Sequence, residues 1–318
     1  MSLRLPAWRW ILLAGALLTL GQFAGTATHS AGESDDTLPR YADRPLAPAE
    51  RTVYLFAVHP LHNPQRLFSK YQPLIDLVNE RIQGFSLKLV ASRDYQAFEQ
   101  KLYNGRFHFA LPNPLQTLAS QRHGYRIVGK MADDDMFRGI IIMRRDSEVM
   151  FVEDLAGAAL SFPAPTALAA TMLPKYFLQT RGLNLAGNDL RYVGSQESAI
   201  MNVYLGKTVA AGTWPLPWDM LLHSRPELGQ ALEVKWRTPP LVNNGLVARR
   251  DLPVSQVQEL VDVLVALPRD ARGREILARI NIPGFEQATA ATYAPVREFL
   301  ENYYRLFPAE RPPVEATP

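Results

Sequence analysis

The sequence of 318 residues predicts an α/β fold built as two lobes with largely parallel sheets. Three observations predict it. Short apolar or alternating runs suited to strands trade places with amphipathic stretches suited to helices along most of the chain. The strand, loop, helix pattern completes one unit and then starts afresh near residue 150. Hydrophobic residues at 47% and charged residues at 20% are globular proportions, in a chain long enough for one large or two medium domains.

Residues 1–27 read as an export signal. Arg4 and Arg9 lead, Ile11 to Phe23 is almost wholly apolar, and Gly25-Thr26-Ala27 offers a small-residue cleavage site. Retention of the same stretch as a membrane anchor is the alternative, because with Trp8 and Trp10 it approaches spanning length. Residues 28–50 form a linker, polar and rich in proline from Gly32 onward.

Folding begins at Thr52. Thr52 to Val58 is a buried-strand run, HPLHNP follows as a loop, and Pro64 to Arg81 carries Leu67, Tyr71, Leu74, Ile75, Leu77 and Val78 at helical spacing. Phe85 to Ala91 alternates as a strand. Tyr95 to Tyr103 is a helix stopped by Asn104-Gly105, and Phe107 to Leu111 is a short strand opening into Pro-Asn-Pro. Leu115 to Gln121 is helical. Tyr125 to Met131 and Phe137 to Arg145 are strands around a solvated acidic turn, Asp133 to Asp135, which lacks calcium-loop spacing.

The second unit is organised around Ala158 to Tyr176. Val152 to Leu155 makes a helical turn, Ala158 to Phe162 a strand, and Thr166 to Thr180 a helix. A strand that delivers a loop onto a helix N-terminus presents unpaired N–H groups and the positive end of the helix dipole. Leu190 to Val193 is a strand, and Gly194 to Ser198 is another loop meeting a helix start, with Ser195 or Gln196 as its cap. Lys207 to Ala211 is a strand, Trp214 to Trp218 a rigid aromatic loop, and Glu233 to Trp236 a strand. Asn243 to Arg249 is a further strand. Helices over Val254 to Leu267, Ala271 to Ile280 and Tyr293 to Leu306 follow, and the tail over residues 307–318 frays.

The first and last thirds then belong to one lobe, residues 51–138 and 243–306, with residues 139–242 inserted as the other. Two connecting strands, Gly139 to Arg144 and Asn243 to Arg249, leave a cleft that can hinge.

Composition narrows the function. The sequence has no cysteine, which excludes disulfides, thiolate chemistry, zinc–thiolate sites and a lipid-modified N-terminal cysteine. A net charge of +3, dispersed and without basic runs interleaved with aromatics, is not that of a nucleic-acid binder. No G-x-S-x-G and no P-loop occurs, so an enzyme is not expected.

From Val58 to Phe299 the chain resembles the periplasmic substrate-binding proteins of phosphate, phosphite and phosphonate ABC importers, the PhnD-like group of type II binding proteins. The resemblance is carried by VHPLHNP, LYNGRFHFALPNPLQTLA, RRDSEVMFVEDLAGAALSFPAPTALAATMLPKYFL, VGSQESAIMNVYLGKTVAAG, WRTPPLVNNGLVARRDLP and GREILARINIPGFEQATAATYAPVRE, in order. It implies two α/β lobes that close over a small solute in the periplasm and deliver it, as a monomer without cofactor, to a membrane permease. A membrane-anchored sensing domain with a signalling partner is the alternative. The family's Ser-Thr-Ser-like oxyanion triplet corresponds to Ala164-Pro165-Thr166, its loop histidine to Gln196, and an expected acidic position to Gly212-Thr213-Trp214. Fewer hydroxyls, and a proline without an N–H, leave a phosphonate less well satisfied. The departures imply a more apolar and aromatic pocket.

Seven residues are candidates to face the solute. Thr166 either donates to it or caps its helix; Gln196 and Ser198 offer neutral hydrogen bonds or cap theirs. Trp214 offers an aromatic wall or packs between lobes. Asn113 lies where the first lobe's third strand opens into the cleft, and is otherwise a turn residue. His59 and His62 form an H-x-x-H pair that faces the solute from the first loop or is incidental, since no third metal ligand accompanies it.

Overall fold

The computed structural model describes residues 51–312; the export segment and linker, and residues 313–318, lie outside the described residues. The first strand, β1 (Thr52–Val58), leads into α1 (Pro64–Arg81). Asn63 caps this helix by accepting from the Arg66 N–H, Pro64 fills a position that needs no N–H, and the six apolar residues at helical spacing are all buried. Then come β2 (Phe85–Val90), α2 (Tyr95–Tyr103), β3 (Phe109–Leu111), α3 (Pro114–Ser120) and β4 (Tyr125–Met131).

The chain crosses to the second lobe and enters β5 (Arg138–Arg144), β6 (Ala159–Phe162), α4 (Leu173–Thr180), β7 (Asp189–Tyr192), α5 (Gln196–Tyr204), β8 (Ala210–Thr213), α6 (Pro215–Ser224), α7 (Glu227–Ala231) and β9 (Leu232–Pro240). It returns through β10 (Gly245–Arg249), α8 (Val254–Ala266), α9 (Ala271–Arg279), β11 (Phe285–Glu286) and α10 (Ala294–Leu306). Among the described residues no helix is long and apolar enough to cross a membrane.

Each lobe holds one sheet. The first has the order β11-β4-β10-β3-β1-β2 and the second β7-β6-β8-β5-β9. Both are mixed, where alternation alone predicted largely parallel pairing. β1 pairs in parallel with β2 and β3, and β6 with β7 and β8. The first strand after each crossing runs the other way: β5 is antiparallel to β8 and β9, and β10 to β3 and β4. The connections between lobes are therefore not strands β5 and β10 themselves but the short segments before them, residues 132–137 and 241–244. These two segments bond to one another. Leu241 N–H donates to Phe137 O at 2.8 Å, and the Asn243 side chain donates to Ala132 O and Asp133 O at 3.1 and 3.0 Å. The acidic turn is accordingly part of the junction: Asp134 accepts from Asn243 N–H and pairs with Lys130 at 2.9 Å.

Three further differences from the sequence reading have local causes. Trp214 to Trp218 is not a loop: Trp214 precedes α6, and Pro215 and Pro217 lie in its first turn, where N–H groups have no intrahelical acceptor. The helix expected from Thr166 starts later, as one wide π turn over Leu168–Met172 continuous with α4. That turn is pressed onto the second sheet, which is possible because β5 and β8 carry glycines beneath it. A Cβ on Gly212 would come within 2.1 Å of Ala170 O, and one on Gly139 within 2.8 Å of Ala169 O. Finally, residues 307–310 do not fray. They make a short turn whose Glu310 pairs with Lys175 of α4, an aliphatic chain only 1% exposed.

One apolar core runs from the first lobe into the second, joining β1, β3 and α1 to the π turn, Trp214 and Leu216. Two smaller clusters cover the faces of the second sheet.

Candidate functional site

Strand ends from both sheets point into one central cleft. β1 delivers His59, β3 delivers Asn113, and Tyr95 begins α2. From the other side come Gln196 at the start of α5, Trp214 after β8, and the alanines of the π turn. Phe137 and Asn244, one from each crossing segment, close the back. The space left among them is about 10 Å³, the room of a single water. No charged side chain lines it.

Each polar group here is held by its local structure. Asn113 makes a capping box: its Oδ1 accepts from Gln116 N–H at 3.0 Å, and Gln116 Oε1 accepts from Asn113 N–H at 3.1 Å. This leaves its Nδ2 free to donate across the cleft to Thr166 O at 2.9 Å. Gln196 does the same from the opposite lobe. Thr213 Oγ1 donates to its Oε1 at 2.8 Å, and its Nε2 donates to the Tyr95 hydroxyl at 3.4 Å. Trp214 meets Phe137 with ring centroids 5.3 Å apart.

His59 lies 2.9 Å from Leu111 O through Nδ1, and a carbonyl can only accept, so Nδ1 carries the proton and Nε2 is a lone-pair acceptor. Burial holds its pKa down, to about 4, so the ring is neutral at physiological pH. Asn244 Oδ1 is buried with no hydrogen-bond partner. The cleft thus offers acceptors from His59 and Asn244, a hydroxyl from Tyr95, and aromatic walls.

Four of the seven sequence candidates, His59, Asn113, Gln196 and Trp214, share this cleft. The other three do not. His62 and Ser198 line a recess of about 350 Å³ beside it, with Asn63, Ser195 and Glu197. Ser195, not Gln196, caps α5, and its hydroxyl also donates to Ser198 Oγ at 2.9 Å. The His62 pKa is lowered to about 4, first by burial and then by Arg66 and Lys70; its Nε2 is buried and unpartnered. Thr166 contributes its carbonyl to the Asn113 contact but lines a separate hollow of about 450 Å³ with Tyr103, Tyr304 and Glu310. It lies ahead of the π turn and therefore does not cap a helix. Among the described residues no group of three or more His, Cys, Asp or Glu is placed to hold a metal ion.

Sequence reasoning missed Tyr95, Phe137 and Asn244. The Asn243-Asn244-Gly245 turn signal ahead of a strand could have marked Asn244; Tyr95 and Phe137 look like ordinary core aromatics until the lobes are brought together.

Residues 56–293 match the family described as ABC transporter, phosphonate, periplasmic substrate-binding protein. A probable ABC transporter phosphite binding protein, PhnD1 of Prochlorococcus marinus (strain MIT 9301), is 22% identical over 186 residues, 54% of this chain. The match spans 63% of that relative's length, less than two thirds. A binding protein component of an ABC phosphonate transporter from Pseudomonas aeruginosa superposes with a TM-score of 0.75 at 18% identity, over 84% of this chain and 91% of its own. PhnD1 from Prochlorococcus marinus in complex with methylphosphonate superposes with a TM-score of 0.72 at 18% identity, over 79% of this chain and 98% of its own. At these identities the two superpositions speak for the fold.

Proposed function

The chain belongs to the family of periplasmic substrate-binding proteins of phosphonate ABC transporters, and from that premise we propose that it captures a small neutral solute by closing its lobes. The family consists of solute-binding transport proteins and not enzymes. In our reading the protein is exported, acts as a monomer, and presents its solute to an ABC permease. Lobe 1 comprises residues 51–138 and 243–306, and lobe 2 residues 139–242.

The observation that carries the choice of solute is the absence of any charged side chain around the central cleft. A phosphonate taken there would lose its hydration with no cation to offset the loss, a cost of several kcal/mol for an unpaired buried ion. A neutral solute bearing N–H or O–H groups meets His59 Nε2 and Asn244 Oδ1 instead, and its apolar part meets Trp214 and Phe137. The solute makes both sets of contacts in a closed form whose cleft is wider than the roughly 10 Å³ of this structure, and closure follows because only such a form makes both sets at once.

Thermal unfolding with added solutes tests this, since a ligand that binds only the folded protein raises its stability by mass action. Phosphate, phosphite and methylphosphonate are expected to leave the midpoint unchanged. Among neutral amides, polyols and phenols at least one is expected to raise it, and to lose that effect in Asn244→Ala. A large rise with methylphosphonate that disappears in Gln196→Ala would overturn the assignment of a neutral solute.

A further inference from the structure

The hollow of about 450 Å³ that Thr166 borders has the dimensions of a small-molecule site. Its charged and aromatic groups come from lobe 1 and the turn after α10. Glu99 and Tyr103 stand on α2, Arg122 and His123 follow α3, and Tyr304 is on α10. Leu115 and Ala119 of α3 supply apolar wall between them. Lobe 2 adds Pro165, Thr166 and Met172, none of them charged, so the charged groups keep their places wherever the lobes stand.

Three charged side chains of opposite sign line this space, and only Glu310 is satisfied: it pairs with Lys175 and accepts from the Tyr303 hydroxyl at 2.6 Å. Glu99 Oε1 accepts from Gln116 Nε2 at 2.9 Å, and Gln116 is itself locked by the Asn113 box. The carboxylate is thereby fixed, and its second oxygen has no partner among the described residues. Arg122, exposed at the rim, makes no ion pair and no side-chain hydrogen bond among the described residues. Tyr103 lies one helical turn from Glu99, and His123 stacks on its ring at 4.4 Å. Burial, then Glu99 and Tyr304, push the Tyr103 hydroxyl up, so the phenol stays protonated beside the carboxylate.

We propose that this hollow is a second ligand site, for a small zwitterion with an aromatic body, its ammonium on Glu99 and its carboxylate on Arg122. A carboxylate suits the planar fork of the guanidinium, and an ammonium suits the free oxygen of Glu99. The body lies against Tyr103, Tyr304 and Leu115. A ligand with a single charge meets one of the two side chains with like sign, so it is disfavoured. The site stands apart from the central cleft, which neither Glu99 nor Arg122 lines.

Calorimetric titration into the full chain tests this with L-phenylalanine, para-(aminomethyl)benzoate, whose charges stand farther apart, benzylamine and benzoate. At least one of the two zwitterions is expected to bind about tenfold more tightly than either singly charged probe, the worth of one charge-assisted contact. Arg122→Gln and Glu99→Gln are each expected to weaken that zwitterion about tenfold. Arg122 is exposed, and Gln at position 99 can still accept from Gln116, so both variants are expected to fold. Arg305→Gln, exposed on α10 and outside the hollow, is expected to bind like the parent. Absence of binding by both zwitterions would overturn the site, as would benzylamine or benzoate binding equally well. So would zwitterion binding that either Arg122→Gln or Glu99→Gln leaves unchanged, since the ligand would then lie elsewhere. None of these results bears on the solute of the central cleft, which is read from solutes lost in Asn244→Ala.

Discussion

Two equivalent entries face one another across the cleft, the Pro112-Asn113-Pro114 loop of lobe 1 and the Ala164-Pro165-Thr166 loop of lobe 2. Each follows a parallel strand and leads into a helix. The first is closed by its own chemistry: the Asn113 and Gln116 side chains cap each other's N–H groups, and α3 is regular from its first turn. The second has no side-chain cap and begins as a π turn. What fixes it lies far away in sequence, in the glycines of β5 and β8 that let Ala169 and Ala170 approach the sheet. One entry is held from within and the other from outside.

The largest expected break in this comparison is Gly212→Ala. In a strand that change is ordinarily mild or favourable, because glycine gains the most freedom on unfolding. Here the added Cβ meets a carbonyl at 2.1 Å, and a loss of about 3 kcal/mol in the urea-unfolding free energy is expected from forced backbone displacement. An unchanged midpoint would show that the π turn is not seated by the glycine.

Acid acts on the lobe 1 side. The neutral, buried His59 has a folded pKa of about 4 against 6.5 when exposed. The unfolded chain therefore binds the proton first. Stability is fully present above pH 6.5 and falls as pH drops toward 4, by at most about 1.4 kcal/mol per pH unit from this group. Unfolding measured across that window is expected to show the slope, and His59→Gln to reduce it without abolishing it, because His62, also held down to about 4, acts in the same direction; an equal slope in the variant would remove His59 as a source. A smaller effect is expected from Asn113→Ala, about 1 kcal/mol for the lost cap. Thr166→Ala is expected to be silent, since only its carbonyl takes part. Equal losses from the two would erase the distinction between the entries.

The same contrast sets what could be read in advance. Helix α1, with its Asn-Pro start and six buried positions, was legible because capping and periodicity are local. So was Asn113, flanked by prolines after an apolar strand. The antiparallel course of β5 and β10 was not, because it depends on where the chain crosses between sheets. Trp214 lines the cleft and stands just ahead of α6, where the sequence suggests a loop, since two prolines so close together read as irregular chain even where they fit a helix's first turn. The turn at Phe307 to Glu310 reads as a polar tail until Lys175, buried far upstream, supplies its partner.

The cleft's lack of charge is tested most directly by calorimetric titration of methylphosphonate into the parent protein and into Gln196→His, which restores the histidine that the resemblance places at this position. The parent is expected to give no binding heat at any concentration that leaves it folded. Stoichiometric binding by the parent, lost in Trp214→Ala, would contradict the account: the cleft would then hold an anion without a cation to meet it.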